Sequence, residues 1–226
     1  MSLKSVIISG GGTGGHIFPA LAIANEIKYR YPDCHIHFVG AQGRMEMEKI
    51  PSNGFEITGL PIQGFQRRQI WKNWKLPFKL LKSLLLSGKI IKKHKPQLVI
   101  GVGGYASAAI GKTAQWMKIS TLLQEQNGYP GVTNKLLAKK AKVICVAYPK
   151  MESFFPAHAL HITGNPVRKE IINLPPKKEE TYQKYGLQTG KLTILIIGGS
   201  LGARSINNAA EKWIDKLLEN NFQVIW

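Results

Sequence analysis

At 226 residues and 44% apolar content, the chain can bury a sizeable core and is globular rather than disordered. No stretch is long and apolar enough to cross a bilayer, and the polar, glycine-rich N-terminus is not a secretory signal. A formal charge of +18 requires anionic partners: nucleic acid, acidic lipid or phosphorylated small molecules.

An apolar strand over 4–9 runs into Gly10-Gly11-Gly12-Thr13-Gly14-Gly15 and then into a helix over 18–30. Pro19 falls in that helix's first turn, and Ile17, Leu21 and Ala24 recur at helical spacing. Glycines let the backbone approach a ligand closely, and the free N–H groups of a helix start favour a phosphate or another electron-rich group. The run satisfies the dinucleotide pattern G-x-G-x-x-G. The next strand, 36–40, ends Phe38-Val39-Gly40-Ala41-Gln42, without the carboxylate that would hold a ribose, so an NAD or FAD site is disfavoured. No Gly-Lys-Ser/Thr follows, which excludes a P-loop. His16 directly follows the loop and is either structural or a general base.

A helix over 43–50 and a strand over 55–60 come next. From Ile57 to Gln124 there is no Asp or Glu but there are twelve Lys or Arg. Within that stretch, a helix over 77–94 places Phe78, Leu81, Leu85 and Ile91 on one stripe to be buried. Trp71, Trp74, Leu80, Leu84 and Leu86 are left amid Lys72, Lys75, Lys79 and Lys82. Basic residues interleaved with Trp and Leu suit a surface resting on anionic lipid, or an ordinary amphipathic helix with a solvated lysine face. No helix-turn-helix, RNP or zinc-finger signature supports nucleic acid.

Strands over 97–102, 120–124, 142–147 and 160–163 alternate with helices over 105–117 and 131–140, the pattern of a parallel sheet covered on both faces. A second glycine loop, Gly101-Val102-Gly103-Gly104-Tyr105-Ala106-Ser107, follows the strand near 97–102. Glu125, in Gln124-Glu125-Gln126-Asn127-Gly128, is the first carboxylate after the acid-free stretch. Asn127 is either a ligand contact or turn chemistry. Cys34 and Cys145 lie in or beside strands and read as buried thiols in a reducing compartment.

Composition breaks from Asn165 to Gly190, where Pro, Gly and charge replace apolar residues, as in an inter-domain connection with a short helix near 167–173. Arg168 opens the second domain there and could reach a phosphate across a cleft. A strand over 192–197, the loop Gly198-Gly199-Ser200-Leu201-Gly202 and a helix to about Glu219 then repeat the opening unit, and a further strand starts at Phe222. This divides the chain into a domain over 1–164 and the incomplete start of a second over 165–226. Asp33 and Asp215 are the only aspartates, so no Asp-x-Asp metal site exists, and the His and Cys residues lack zinc-ligand spacing. No Gly-x-Ser-x-Gly elbow is present.

The opening Gly-Gly-Thr-Gly-Gly-His-Ile-Phe-Pro-Ala-Leu-Ala, Gly-Val-Gly-Gly-Tyr-Ala-Ser, Glu-Gln-Asn-Gly, Gly-Asn-Pro-Val-Arg and Gly-Gly-Ser-Leu-Gly-Ala-Arg occur in this order. Together they resemble the bacterial peptidoglycan N-acetylglucosaminyltransferase family, over essentially the whole chain. Gln124 stands where that family commonly has histidine. The resemblance implies an α/β fold of the GT-B type, a Rossmann-like doubly wound parallel sheet followed by the first part of a second. It implies metal- and cofactor-free, inverting transfer of N-acetylglucosamine from UDP-GlcNAc to lipid I, giving lipid II at the cytoplasmic face of the inner membrane. His16 would be the catalytic base. Thr13, Gly14, Gly15, Gly103, Gly104 and Tyr105 would face the acceptor, Asn127, Arg168 and Ser200 would lie around UDP-GlcNAc, and Glu125 would serve substrate binding, of donor or acceptor. Trp71, Lys72, Trp74, Lys75, Phe78, Lys79, Leu80, Lys82 and Trp116 would dock on the membrane. UDP-GlcNAc, lipid I and the anionic bilayer are the partners expected, with no nucleic acid. Most uracil and ribose contacts of the family lie beyond Trp226, so the 226-residue polypeptide is expected not to turn over by itself. The competing readings are another GT-B enzyme, a nucleotide-sugar epimerase or glycolipid transferase, and a non-catalytic module for anionic membrane or nucleic acid.

Overall fold

The computed structural model describes residues 2–64, 74, 76–172, 174, 176, 178–199 and 202–226. They form two compact units, Met1–Ile172 and Asn173–Trp226. In the first, strands β1 (Ser5–Ser9), β2 (His35–Ala41), β3 (Glu56–Leu60), β4 (Leu98–Gly101), β5 (Ser120–Glu125), β6 (Val143–Val146) and β7 (Leu160–Ile162) build one sheet in the order β3-β2-β1-β4-β5-β6-β7. Every neighbouring pair is parallel. Helices α1 (Gly14–Arg30), α2 (Glu46–Lys49), α3 (Leu76–His94), α4 (Tyr105–Trp116), α5 (Val132–Ala138) and α6 (Lys169–Ile172) complete the unit.

The central strands are buried on both faces, which is why Val6, Ile7 and Ile8 form an unbroken apolar run. Alternation sends them to opposite sides. Val6 and Ile8 pack with Ile17, Leu21 and Phe38 under α1, whereas Ile7 packs with Val39, Val99, Ile90 and Ile110 under α3 and α4. A third cluster, around Leu123, Leu137, Ile144 and Phe155, closes the β5–β7 end. Cys34 is buried, Cys145 is partly buried, and both thiols are free; burial raises the pKa of each.

The elements follow the hydrophobic pattern closely, with three instructive differences. Helix α1 starts at Gly14, so Pro19 sits in its second turn and has no N–H for the Gly15 carbonyl. Its first two residues, Gly14 and Gly15, carry no side chain to mark the start. The second difference concerns α3. Phe78, Leu81 and Leu85, expected inside, are exposed, and the buried stripe is Ser83, Ser87, Ile90 and Ile91. Each serine hydroxyl donates to the carbonyl four residues back, Ser83 to Lys79 and Ser87 to Ser83, both at 2.7 Å. With their hydroxyls satisfied locally, these small side chains can face the core.

The third difference is at the chain's composition break. The first unit continues past Gly164 to Ile172: Lys169 pairs with Glu26 at 3.1 Å and the Arg168 guanidinium lies 4.9 Å from the Phe18 ring centroid. The second unit contains α7 (Glu179–Lys184), β8 (Thr193–Leu195), α8 (Arg204–Glu219) and β9 (Gln223–Ile225), with β8 and β9 paired in parallel. Helix α7 has no apolar stripe to reveal it. Its first turn holds Glu179 and Glu180, suited to the positive end of a helix, and Thr189 donates to the Glu179 carboxylate at 2.7 Å.

Candidate active-site cleft

Strand β1 lies between β2 and β4, so the chain lays down β2 and β3 on one side and β4 to β7 on the other. An open α/β sheet binds its ligands at such a reversal, outside the carboxyl ends of the strands. Here β1 delivers the Gly10–Gly15 loop and β4 delivers the Gly101–Gly104 loop to the same place.

The two loops touch through positions where only glycine fits. A Cβ on Gly104, whose φ is +90°, would stand 2.7 Å from the Gly11 carbonyl oxygen. A Cβ on Gly103, at φ +104°, would stand 2.7 Å from His16 Nε2. Side-chain hydroxyls tie the loops down from beneath. Ser107 donates to the Ser9 carbonyl at 2.5 Å, Ser9 to the Val39 carbonyl at 2.7 Å, and Thr133 to the Gly104 carbonyl at 3.1 Å.

His16 sits half-buried in the first turn of α1. Its Nδ1 is 2.9 Å from the Gly11 carbonyl oxygen. A carbonyl can only accept, so Nδ1 carries a proton, and in the neutral ring the lone pair is on Nε2. Two recesses meet at this ring. One, of ≈ 240 Å³, includes Gly103, Gly104, Tyr105, Glu125 and Asn127. The other, of ≈ 230 Å³, includes Gly11, Gly12, Thr13, Arg44, Glu46 and Gly64. The backbone N–H groups of Gly14, Gly15, Gly104 and Tyr105, at the starts of α1 and α4, have no hydrogen-bond partner among the described residues. Such groups suit an anion.

Glu46, which lines the second recess, is a residue of the candidate site that sequence reasoning missed. Fully buried, it accepts the Gly12 N–H at 2.8 Å and the Ala41 N–H at 3.0 Å. It also fills the space beside Gly11 that any side chain there would need. The second strand ends without a carboxylate, as its sequence indicates, but one returns five residues after Ala41 and grips the protein's own glycine loop. Nothing in the linear pattern distinguishes Glu46 from its exposed neighbour Glu48. Glu46→Ala is expected to destabilise the first unit by about 2 kcal/mol, because the buried Ala41 N–H and the part-buried bond of Gly12 both lose their acceptor. Chemical denaturation measures this, and a loss below about 1 kcal/mol would show that the loop holds its shape unaided.

Glu125 is placed beside His16's recess but turned into its own loop. Oε1 accepts the Asn127 N–H at 3.1 Å and its Nδ2 at 3.0 Å, while Oε2 accepts the Gly131 N–H and Asn134 Nδ2, both at 3.0 Å. With both oxygens taken, Glu125 shapes the 126–134 loop, and exposed Asn127 is the member that faces outward. Gln124 is buried, with Nε2 3.4 Å from the Gly164 carbonyl oxygen. Arg168, expected to open a second domain, belongs to the first unit.

Of the residues expected at the membrane, Trp74, Phe78, Leu80, Lys82 and Trp116 are exposed. Lys79 is partly buried, and its ammonium donates to Gln63 at 2.7 Å. Trp71, Lys72, Lys75 and the donor-side Ser200 lie outside the described residues. Among the described residues, no helix is long and apolar enough to cross a membrane.

Residues 6–146 match the glycosyltransferase family 28 N-terminal domain. The whole chain is 54% identical to the UDP-N-acetylglucosamine–N-acetylmuramyl-(pentapeptide) pyrophosphoryl-undecaprenol N-acetylglucosamine transferase of Flavobacterium psychrophilum, covering 62% of that protein. It is 56% identical, over 98% of its length, to the enzyme of the same name from Phocaeicola vulgatus, covering 59% of it. The chain thus spans about 60% of the length of these curated relatives. The crystal structure of Acinetobacter baumannii MurG superposes on 95% of the chain, with a TM-score of 0.71 and 31% identity, and 58% of that protein is covered. A UDP-GlcNAc 2-epimerase from Neisseria meningitidis, solved with UDP-GlcNAc bound, superposes on 98% of the chain and 72% of its own, with a TM-score of 0.63 at 16% identity, a likeness of fold alone. The fold is of the GT-B type.

Proposed function

The chain belongs to glycosyltransferase family 28, and from that premise we propose that it carries the acceptor side of an inverting transferase. That enzyme moves N-acetylglucosamine from UDP-GlcNAc to the C4 hydroxyl of the muramyl sugar of lipid I, giving lipid II at the cytoplasmic face of the membrane. The observation that carries this reading is the convergence of two glycine loops on His16, with the Gly11 carbonyl at Nδ1 and Gly103 beside Nε2.

His16 Nε2 takes the proton of the acceptor hydroxyl as its oxygen attacks C1 of the donor sugar. The bond from C1 to the diphosphate oxygen breaks, UDP leaves with the electron pair, and the configuration at C1 inverts. The unpartnered N–H groups of Gly14, Gly15, Gly104 and Tyr105 receive the acceptor's diphosphate, with Thr13 beside them and Arg44 supplying a cation from the same recess. Asn127, Arg168 and Ser200 serve the donor, and charge on departing UDP is met by guanidinium and helix N-termini rather than by a metal. Incorporation of labelled N-acetylglucosamine into a lipid I analogue, by the protein carrying this chain at its relatives' full length, tests the proposal. No incorporation would overturn it.

Membrane docking belongs to the same proposal. Phe78, Leu81 and Leu85 recur at helical spacing on the exposed side of α3, with Lys82 among them, an arrangement suited to an anionic interface. Replacing all three by serine is expected to lower partitioning onto phosphatidylglycerol vesicles by at least about tenfold, since each large apolar side chain contributes roughly 1–2 kcal/mol when it enters the bilayer. Vesicle sedimentation reads the change, and unchanged partitioning would place the docking face elsewhere.

A further inference from the structure

At the opposite, amino end of the sheet, three histidines converge that the transferase reading does not use. His35 and His37 are alternate residues at the start of β2, and so share one face, and His94 ends α3. One nitrogen from each ring lies within 4.8 Å of the other two. His35 Nε2 and His94 Nδ1 are only 3.0 Å apart, and the His37 and His94 rings stack with centroids 3.9 Å apart. Glu56, the register partner of His37 on β3, brings Oε2 to 3.5 Å from His37 Nδ1.

We propose that His35, His37 and His94, with the Glu56 carboxylate, form a binding site for a divalent transition-metal ion of the zinc class. His37 is 4% exposed. Its Nε2 is held by the Thr58 hydroxyl at 2.8 Å, while its Nδ1 is a buried nitrogen without a hydrogen-bond partner. With Nε2 engaged by Thr58, Nδ1 is the free position, 3.5 Å from the Glu56 carboxylate, and a cation between them would satisfy both. A buried polar atom of this kind otherwise costs stability. The bond from His37 to Thr58 is the kind of outer contact that orients a liganding imidazole.

Three imidazoles and a carboxylate form a borderline nitrogen and oxygen donor set, suited to zinc rather than to calcium or magnesium. Ligand nitrogens about 3.3 Å apart span a tetrahedral zinc ion with bonds near 2.0–2.1 Å. The His35–His94 separation of 3.0 Å is already close to that. The remaining adjustment falls to exposed His35 and half-buried His94 and to Glu56, whose side chain is 74% exposed. An ion here would staple β2 and β3 to the end of α3, far along the strands from His16. No sequence spacing flags the site, because His94 reaches it only through the fold.

Calorimetric titration of the full chain with zinc chloride, in a buffer free of chelators, tests the proposal, together with the visible spectrum of the cobalt-loaded protein. One ion per chain is expected, with the intense d–d bands of a four-coordinate cobalt site. His35→Ala and His94→Ala should each weaken binding by at least about tenfold, whereas His158→Ala, at a histidine elsewhere on the surface, should leave it unchanged. His94→Asn, which keeps a polar group against His35, serves if the alanine variant loosens the helix end. The absence of stoichiometric uptake by the parent chain would overturn the site, as would equal affinities for the parent and both ligand variants. An equal loss in His158→Ala would do the same.

Discussion

His16→Ala is expected to lower the rate of N-acetylglucosamine transfer by about 10²–10⁴-fold, the usual contribution of a positioned general base. The argument rests on which nitrogen is free. Nδ1 is committed to the Gly11 carbonyl, so the basic lone pair is on Nε2, at the edge shared by both recesses. Alanine also removes a loop anchor, and the two effects need separating. His16→Gln supplies a side-chain N–H that can still reach the Gly11 carbonyl but offers no comparable base. If general-base chemistry is what His16 provides, the glutamine variant loses kcat as severely as alanine, with acceptor KM close to that of the parent. If His16 only holds the loop, glutamine retains most of kcat and the base assignment falls. Steady-state assays of the full-length protein with a lipid I analogue distinguish the two outcomes.

Gly104→Ala is expected to give the largest loss of stability among the glycine-loop substitutions. Its φ of +90° is unfavourable to any L side chain, and the new Cβ would meet the Gly11 carbonyl oxygen at 2.7 Å, backbone that cannot swing aside. Strain and overpacking together come to about 3 kcal/mol, or a melting point lower by roughly 6–12 °C for a unit of this size. Gly12→Ala separates the causes. Gly12 has a similar φ of +88° but open space around its Cβ position, so strain alone remains, about 1 kcal/mol. Thermal unfolding followed by circular dichroism measures both. Equal losses would mean that the contact between the loops contributes nothing, and that the cleft's floor is looser than its geometry implies.

Much of this molecule is legible in the linear pattern. Strands β1, β4 and β5 and the helices that follow them announce themselves by an apolar run, a glycine turn and a 3.6-residue period. Those signals are local, and local sterics and burial produce them. The site was legible in part for the same reason: His16 and both glycine loops occupy turns that must lie at the carboxyl ends of parallel strands. The second strand ends at Ala41 and Gln42 without a carboxylate, and the buried Glu46 fills that neighbourhood from the next helix.

What the sequence determined by itself is therefore the set of strand–loop–helix units, the glycine turns between them, and the concentration of positive charge between Ile57 and Gln124. Tertiary structure decided the rest, because those properties depend on partners distant in the chain. Inserting β1 between β2 and β4 is what lays Gly103 against His16 and Gly104 against Gly11. Packing against α4 selected the serine stripe of α3 and left Phe78, Leu81 and Leu85 outside, since an amphipathic period fixes only that a face exists, not which face a neighbour will cover. Closure of the loop after β5 turned Glu125 inward onto Asn127, Gly131 and Asn134. The return of α3 to the sheet's amino end carried His94 to His35 and His37. A periodic pattern encodes the elements, but only the order in which the sheet accepts its strands encodes which side chains meet.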